Sequence, residues 1–205
     1  MVFLILINLL SLAVGSLQNV GDNFLVERNE LLTALAVSNL QNLGRHFVVE
    51  DNKHLTVLAV SSLQNVGGHF VVEDNDLKFV DGRQVVASDF TVSSNVLLSH
   101  IALGGLQFVG RNFKVSSNAH LAFIHLDGLK NVGGIFEVSN NNSLIEMMAG
   151  SLTAIIDYLQ IAGNFAFRPF NGLPTLTCVL DRRTDLLGDC SDNLVSRVVA
   201  ATACA

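Results

Sequence analysis

Apolar and polar positions alternate with a period of two in short runs, and the runs themselves recur. Phe24 and Val26 are expected inward while Leu25 and Glu27 face out, the pattern of a strand with one buried side, and Asn29 beyond the strand is also expected inward. A second apolar stretch follows each such Asn, as in LLTALAV from Leu31 and HLTVLAV from His54. No amphipathic run of helical period lies between them, so the unit has β-type sides joined by turns. SLQNVGDNFLVERN from Ser16 returns as NLQNLGRHFVVEDN from Asn39 and SLQNVGGHFVVEDN from Ser62. Drifted copies begin at Gly105, Gly128 and Ser151, and a shortened one, RQVVASDFTVSSN, at Arg83.

Aligning the copies produces fixed columns. One runs Phe24, Phe47, Phe70, Phe90, Phe113, Phe136, Leu159, and another Asn29, Asn52, Asn75, Asn95, Asn118, Asn141, Asn164. Every step is 23 residues except one of 20. A unit of this size cannot bury its apolar side alone, so copies must stack into a continuous core. The expected fold is all-β, a right-handed parallel β-helix of about seven rungs, with a leucine-rich-repeat horseshoe as the alternative. Stacking at about 4.8 Å per rung gives a rod of roughly 34 Å. The Asn column is expected inside a bend, its amides bonding backbone groups, and Asn tolerates the left-handed backbone of a corner. Gly21, Gly44, Gly67, Gly110 and Gly133 are expected at another corner, where positive φ is easiest for Gly. The register slips between Asn75 and Val86, where VDGRQ replaces a longer turn.

The repeat spans residues 1–164, and residues 165–205, with both prolines and all three cysteines, are expected to cap the open core. Residues 1–15 admit two readings. VFLILINLLSLAV from Val2 could be a signal-peptide core, with Ala13-Val14-Gly15 as cleavage site. However, no Lys or Arg precedes it, and Leu9, Leu12 and Val14 lie in register with Leu32, Leu35 and Val37. An incomplete first rung is therefore favoured. Cys178 and Cys190 are either a disulfide pair across a short loop or unpaired structural thiols, and Cys204 is left over.

Half of the 205 residues are apolar and 15% are charged, enough for a large core. The formal charge of −6, with no basic stripe, argues against nucleic acid. No internal apolar run is long enough for a transmembrane span. Gly67-Gly68 and Gly133-Gly134 lack the Lys and the helix of a phosphate loop. No cofactor constellation is present. His46 and His69 share a column with Asn23 and Asp89, but two imidazoles without a firm third ligand do not make a metal site. Ser93, Ser116 and Ser139 stack with no base placed beside them, so no nucleophile is assigned. Asn141 begins a glycosylation sequon, yet its place in the inward column predicts that it is unmodified.

Outward columns are where recognition would sit. Glu27, Glu50 and Glu73 stack on successive rungs, flanked by Asp51, Asp74 and Asp76. Such a row is either a solvated face or a site for calcium or a basic partner. Leu25, Val48 and Val71 form an apolar row beside it, expected to be exposed. These six residues are the candidate partner contacts.

LQNVGGHFVVEDNDL from Leu63 and LKNVGGIFEVSNNNSL from Leu129 carry a resemblance. The pattern is similar to the receptor L domain of insulin- and EGF-receptor ectodomains, and to repeats of fungal glycolipid-anchored cell-wall proteins. It covers about residues 9–164. The resemblance implies a right-handed β-helix, an extracellular or cell-surface location and a role in recognition. The expected function is noncatalytic binding of a protein or glycan through a sheet face. The alternatives are a structural wall or matrix protein and, behind it, a carbohydrate-active β-helix enzyme. Oligomeric state is left open.

Overall fold

The computed structural model describes residues 2–4, 9–82, 85–164, 166 and 178–179. Among these the secondary structure is β throughout, with no helix. The strands stack in parallel, rung upon rung, into a β-solenoid of about seven turns.

Each rung contributes one strand to each of three faces. The long face is an eight-stranded parallel sheet that includes Phe24–Glu27, Phe47–Glu50, Phe70–Glu73, Phe90–Ser93, Phe113–Ser116, Phe136–Ser139 and Leu159–Ala162. The middle face holds three-residue strands such as Ala34–Ala36, Val57–Ala59, Phe79–Asp81 and His100–Ala102. The short face holds two-residue strands such as Asn42–Leu43, Asn65–Val66 and Phe108–Val109. A horseshoe carries one such sheet; here all three sides of the rung are strands, which is a closed solenoid. Two pairings reach beyond the fully repeated part. Val2–Leu4 pairs with the strand at Phe24, and Cys178–Val179 pairs with Ala154–Ile155, so stacking on the short face continues past residue 164. Cys190 and Cys204 lie outside the described residues.

The core is built from columns. Phe24, Phe47, Phe70, Phe90, Phe113 and Phe136 are fully buried, and successive rings stack with centroids 4.9 to 5.5 Å apart. This spacing is the rung repeat itself, so the ring stack and the backbone ladder share one period. Leu, Val and Ile from the other two faces close the interior.

The Asn column is an inward ladder. Asn52 donates its backbone N–H and its Nδ2 to Asn75 Oδ1, at 3.2 and 3.1 Å, and its Nδ2 also reaches Val26 O and Glu50 O at 3.0 Å. Its own Oδ1 accepts from Asn29, and its carbonyl accepts the N–H of Leu55 to close the turn. The same arrangement recurs at Asn75, Asn95, Asn118 and Asn141, and Asn164 takes part through Nδ2 to Val138 O. Every polar atom of a buried amide is thereby engaged, as a buried polar group requires. Asn141 Nδ2 is held by Val115 O and Asn164 Oδ1.

Two local expectations are corrected. The left-handed backbone falls on the residue before each Asn: Arg28, Asp51, Asp74, Ser94, Ser117 and Asn140 have φ between 52 and 59°, and Gly163 has 65°. The reversal must come one step early, so that the Asn side chain turns into the core. The glycine column, in turn, does not require positive φ. A Cβ on Gly44, Gly67, Gly110 or Gly133 would overlap the carbonyl oxygen of the residue stacked one rung earlier. Glycine is needed there because backbones touch, not because they twist.

The shortened rung loses its residues at two places. Asn75 to Leu77 is one residue shorter than Asn52 to Leu55, and Val80 to Val86 is two shorter than Leu58 to Val66. The middle face divides there, into Ser11–Ala13, Ala34–Ala36 and Val57–Ala59 on one side and a four-stranded sheet from Phe79–Asp81 onward. One long bond, Lys78 N–H to Thr56 O at 3.5 Å, crosses the division.

Candidate recognition surface

The long face does bring the six candidate contacts together. Leu25, Val48 and Val71 are in register on adjacent strands, as are Glu27, Glu50 and Glu73. All six lie half-buried, less open than the alternation of the sequence implies. Rungs this close let each side chain shelter its neighbours above and below. Burial pushes the Glu50 carboxyl above its ordinary value, and the flanking charges of Glu27, Glu73 and Asp51 add to the effect, with Arg28 opposing. Beyond Glu73 the row becomes Ser93, Ser116 and Ser139, all buried. Ser93 donates to Glu73 Oε1 at 2.5 Å, and Ser139 to Glu137 Oε1 at 2.6 Å. A carboxylate therefore does lie beside Ser93 and Ser139, which corrects the expectation from spacing that no base flanks this column.

A second surface was hidden from the spacing of the sequence. On the middle face, outward positions Phe79, His100 and Phe123 are in register, next to Val57 of the preceding rung. Val57 is 54% exposed and Phe79 46%, among the most open large apolar side chains described. The His100 and Phe123 rings stack with centroids 4.9 Å apart. His100 Nδ1 also meets Ser99 Oγ at 2.8 Å. A step of 23 from Val57 lands on Val80, which is core; the missing turn residue shifts the outward position to Phe79. Flanking positions include Ala59, Asp81, Ala102 and His125; Phe79 and His100 are exposed and Phe123 is half-buried.

The His column is a ladder of acceptors. His46 N–H donates to Asn23 Oδ1 at 3.1 Å, His69 N–H to His46 Nδ1 at 3.0 Å, and Asp89 N–H to His69 Nδ1 at 3.3 Å. Asp89 Oδ1 then takes the N–H of Asn112, and Asn112 Oδ1 that of Ile135, both at 3.0 Å. Asn Oδ1, Asp Oδ1 and His Nδ1 are the same number of bonds from the backbone, which is why these residue types interchange in one column. The two imidazoles stack face to face, with ring centroids 4.7 Å apart. Among the described residues no three His, Cys, Asp or Glu are gathered to hold a metal ion.

At the glycine corner, Ile156 occupies the position that Gly133 holds one rung earlier. A side chain cannot tuck under the preceding carbonyl, and an open groove of about 300 Å³ lies there, lined by Arg111, Asn112, Gly133, Gly134, Ile156 and Asp157. No helix among the described residues is long and apolar enough to cross a membrane.

No protein-family profile, curated protein or solved structure matches the chain.

Proposed function

We propose that this chain is a noncatalytic recognition module that binds a protein or glycan through an exposed face of the solenoid. The observation that carries the reading is the middle-face strip of Val57, Phe79, His100 and Phe123. Phe79, His100 and Phe123 stand in register on one sheet, with Val57 across the division of the face, and side chains held in place this way leave little ordering cost to meet. Covering one such side chain fully contributes about 1.5–3 kcal/mol. The Leu25, Val48 and Val71 row with its glutamates is the second candidate surface; its charge would steer a basic partner and make association salt-sensitive. The resemblance of LQNVGGHFVVEDNDL to receptor L-domain repeats supports both recognition and an extracellular or cell-surface setting.

A structural role in a wall or matrix is the second reading, favoured by the Phe and Asn ladders that run the length of the stack. Arrays of immobilised glycans and extracellular proteins separate the two. Saturable, selective binding supports recognition; no binding to any probe, with self-assembly of the free chain, supports the structural role.

A further inference from the structure

We propose that the stacked imidazoles of His46 and His69 form an acid-sensitive joint in the solenoid, opened when His46 takes up a proton. In the neutral ring, Nδ1 carries a lone pair that accepts the backbone N–H of His69 at 3.0 Å. Adding a proton at Nδ1 turns that acceptor into a donor facing another donor. The corner joining the second and third rungs then loses a bond of the kind that Asn23, Asp89 and Asn112 supply elsewhere in the column through side-chain oxygens.

The surroundings of the pair make the two rings unequal. His46 faces the His69 ring at 4.7 Å and lies near the Arg45 guanidinium, with only the Asp22 carboxylate opposing them. Burial, His69 and Arg45 all hold its pKa below the ordinary 6.5. His69 has the Asp89 carboxylate 2.8 Å from its Nδ1, so a proton on His69 finds a partner at once. A proton on His69 therefore sits between Nδ1 and Asp89 Oδ2 and gives up only the longer 3.3 Å bond from the Asp89 N–H. A proton on His46 Nδ1 faces the backbone N–H of His69 instead of a carboxylate.

The sign follows from linkage. A histidine with a depressed folded pKa contributes stability that is complete above 6.5 and is lost as pH falls through the folded value. Within that window the folding equilibrium weakens by up to about tenfold per pH unit.

The test compares the full chain with His46→Asn, which keeps an acceptor at the same distance from the backbone. Amide exchange of His69 and urea midpoints are followed from pH 8 to pH 5. The expected result is that wild type loses protection at the His69 amide across this range, while His46→Asn loses markedly less. Equal losses in the two proteins, or none in wild type, overturn the proposal. Imidazole nitrogen shifts of the wild-type chain give a second readout that needs no variant. At pH 8 His46 must carry its proton on Nε2; a proton on Nδ1 also overturns it.

Discussion

Asn52 and Asn75 sit 23 residues apart in the chain and one rung apart in space, and the Asn75 side-chain oxygen accepts both the backbone N–H and the side-chain amide of Asn52. Each amide oxygen in the column thus accepts from the rung before, while the Nδ2 of the same amide also reaches back to a carbonyl of that earlier rung. Replacing Asn52 or Asn118 with Leu leaves several buried backbone groups unpaired and is expected to cost a few kcal/mol, roughly 1–3 for each orphaned group. Asn118→Asp, which keeps the acceptor but loses the donors to Val92 O and Ser116 O, should also destabilise. Urea unfolding measures both; a wild-type midpoint for Asn52→Leu contradicts the ladder.

The glycine column is a matter of contact between rungs. Gly133→Ala places a methyl against the Gly110 carbonyl and is expected to destabilise by about 1–3 kcal/mol. Gly21→Ala, with nothing within 4 Å of the added methyl, should be close to neutral. Thermal melts of the two variants decide it, since equal effects at both sites leave the steric account without support.

The left-handed residues carry strain that glycine relieves. Ser117, at φ 59°, is exposed, so Ser117→Gly is expected to stabilise by about 0.5–1 kcal/mol. Destabilisation on denaturant titration would count against the backbone assignment at this bend.

Glu50 should show itself in pH dependence. Its raised folded pKa means that the stability linked to this carboxyl is fully present below its ordinary value of 4.5 and is lost as pH rises through the folded value. Glu50→Gln removes the charge and is expected to raise the urea midpoint at pH 7, with the gain fading near pH 4. A gain that is the same at both pH values points to packing instead of charge.

The rung, its 23-residue period and the inward Phe and Asn columns were legible because each column repeats one residue type in one register. The left-handed position was not, because Arg28, Asp51, Ser94 and Asn140 share a backbone conformation and no side-chain chemistry. The role of the His column was obscured for the opposite reason. Asn23, His46, His69 and Asp89 look dissimilar until the common acceptor position is seen in space. The middle-face strip was hidden by one missing turn residue after Asn75, which moves Phe79 outward and Val80 into the core. Side-chain shelter within the Leu25, Val48 and Val71 row depends on rung spacing, which alternation along a single strand does not encode.

The central claim is that recognition uses an exposed face of the solenoid, and paired charge substitutions on two faces test it most directly. Phe79→Lys with Phe123→Lys alters the middle face, and Val48→Lys with Val71→Lys alters the long face. Wild type and both variants are applied to the same arrays of immobilised glycans and extracellular proteins, with melting temperatures recorded alongside. The expected result is a probe bound by wild type, lost in the middle-face variant, and kept in the long-face variant. Loss confined to the long-face variant moves the contact to the Leu25, Val48 and Val71 row. Binding that survives both, or no binding by wild type to any probe, contradicts recognition through a sheet face.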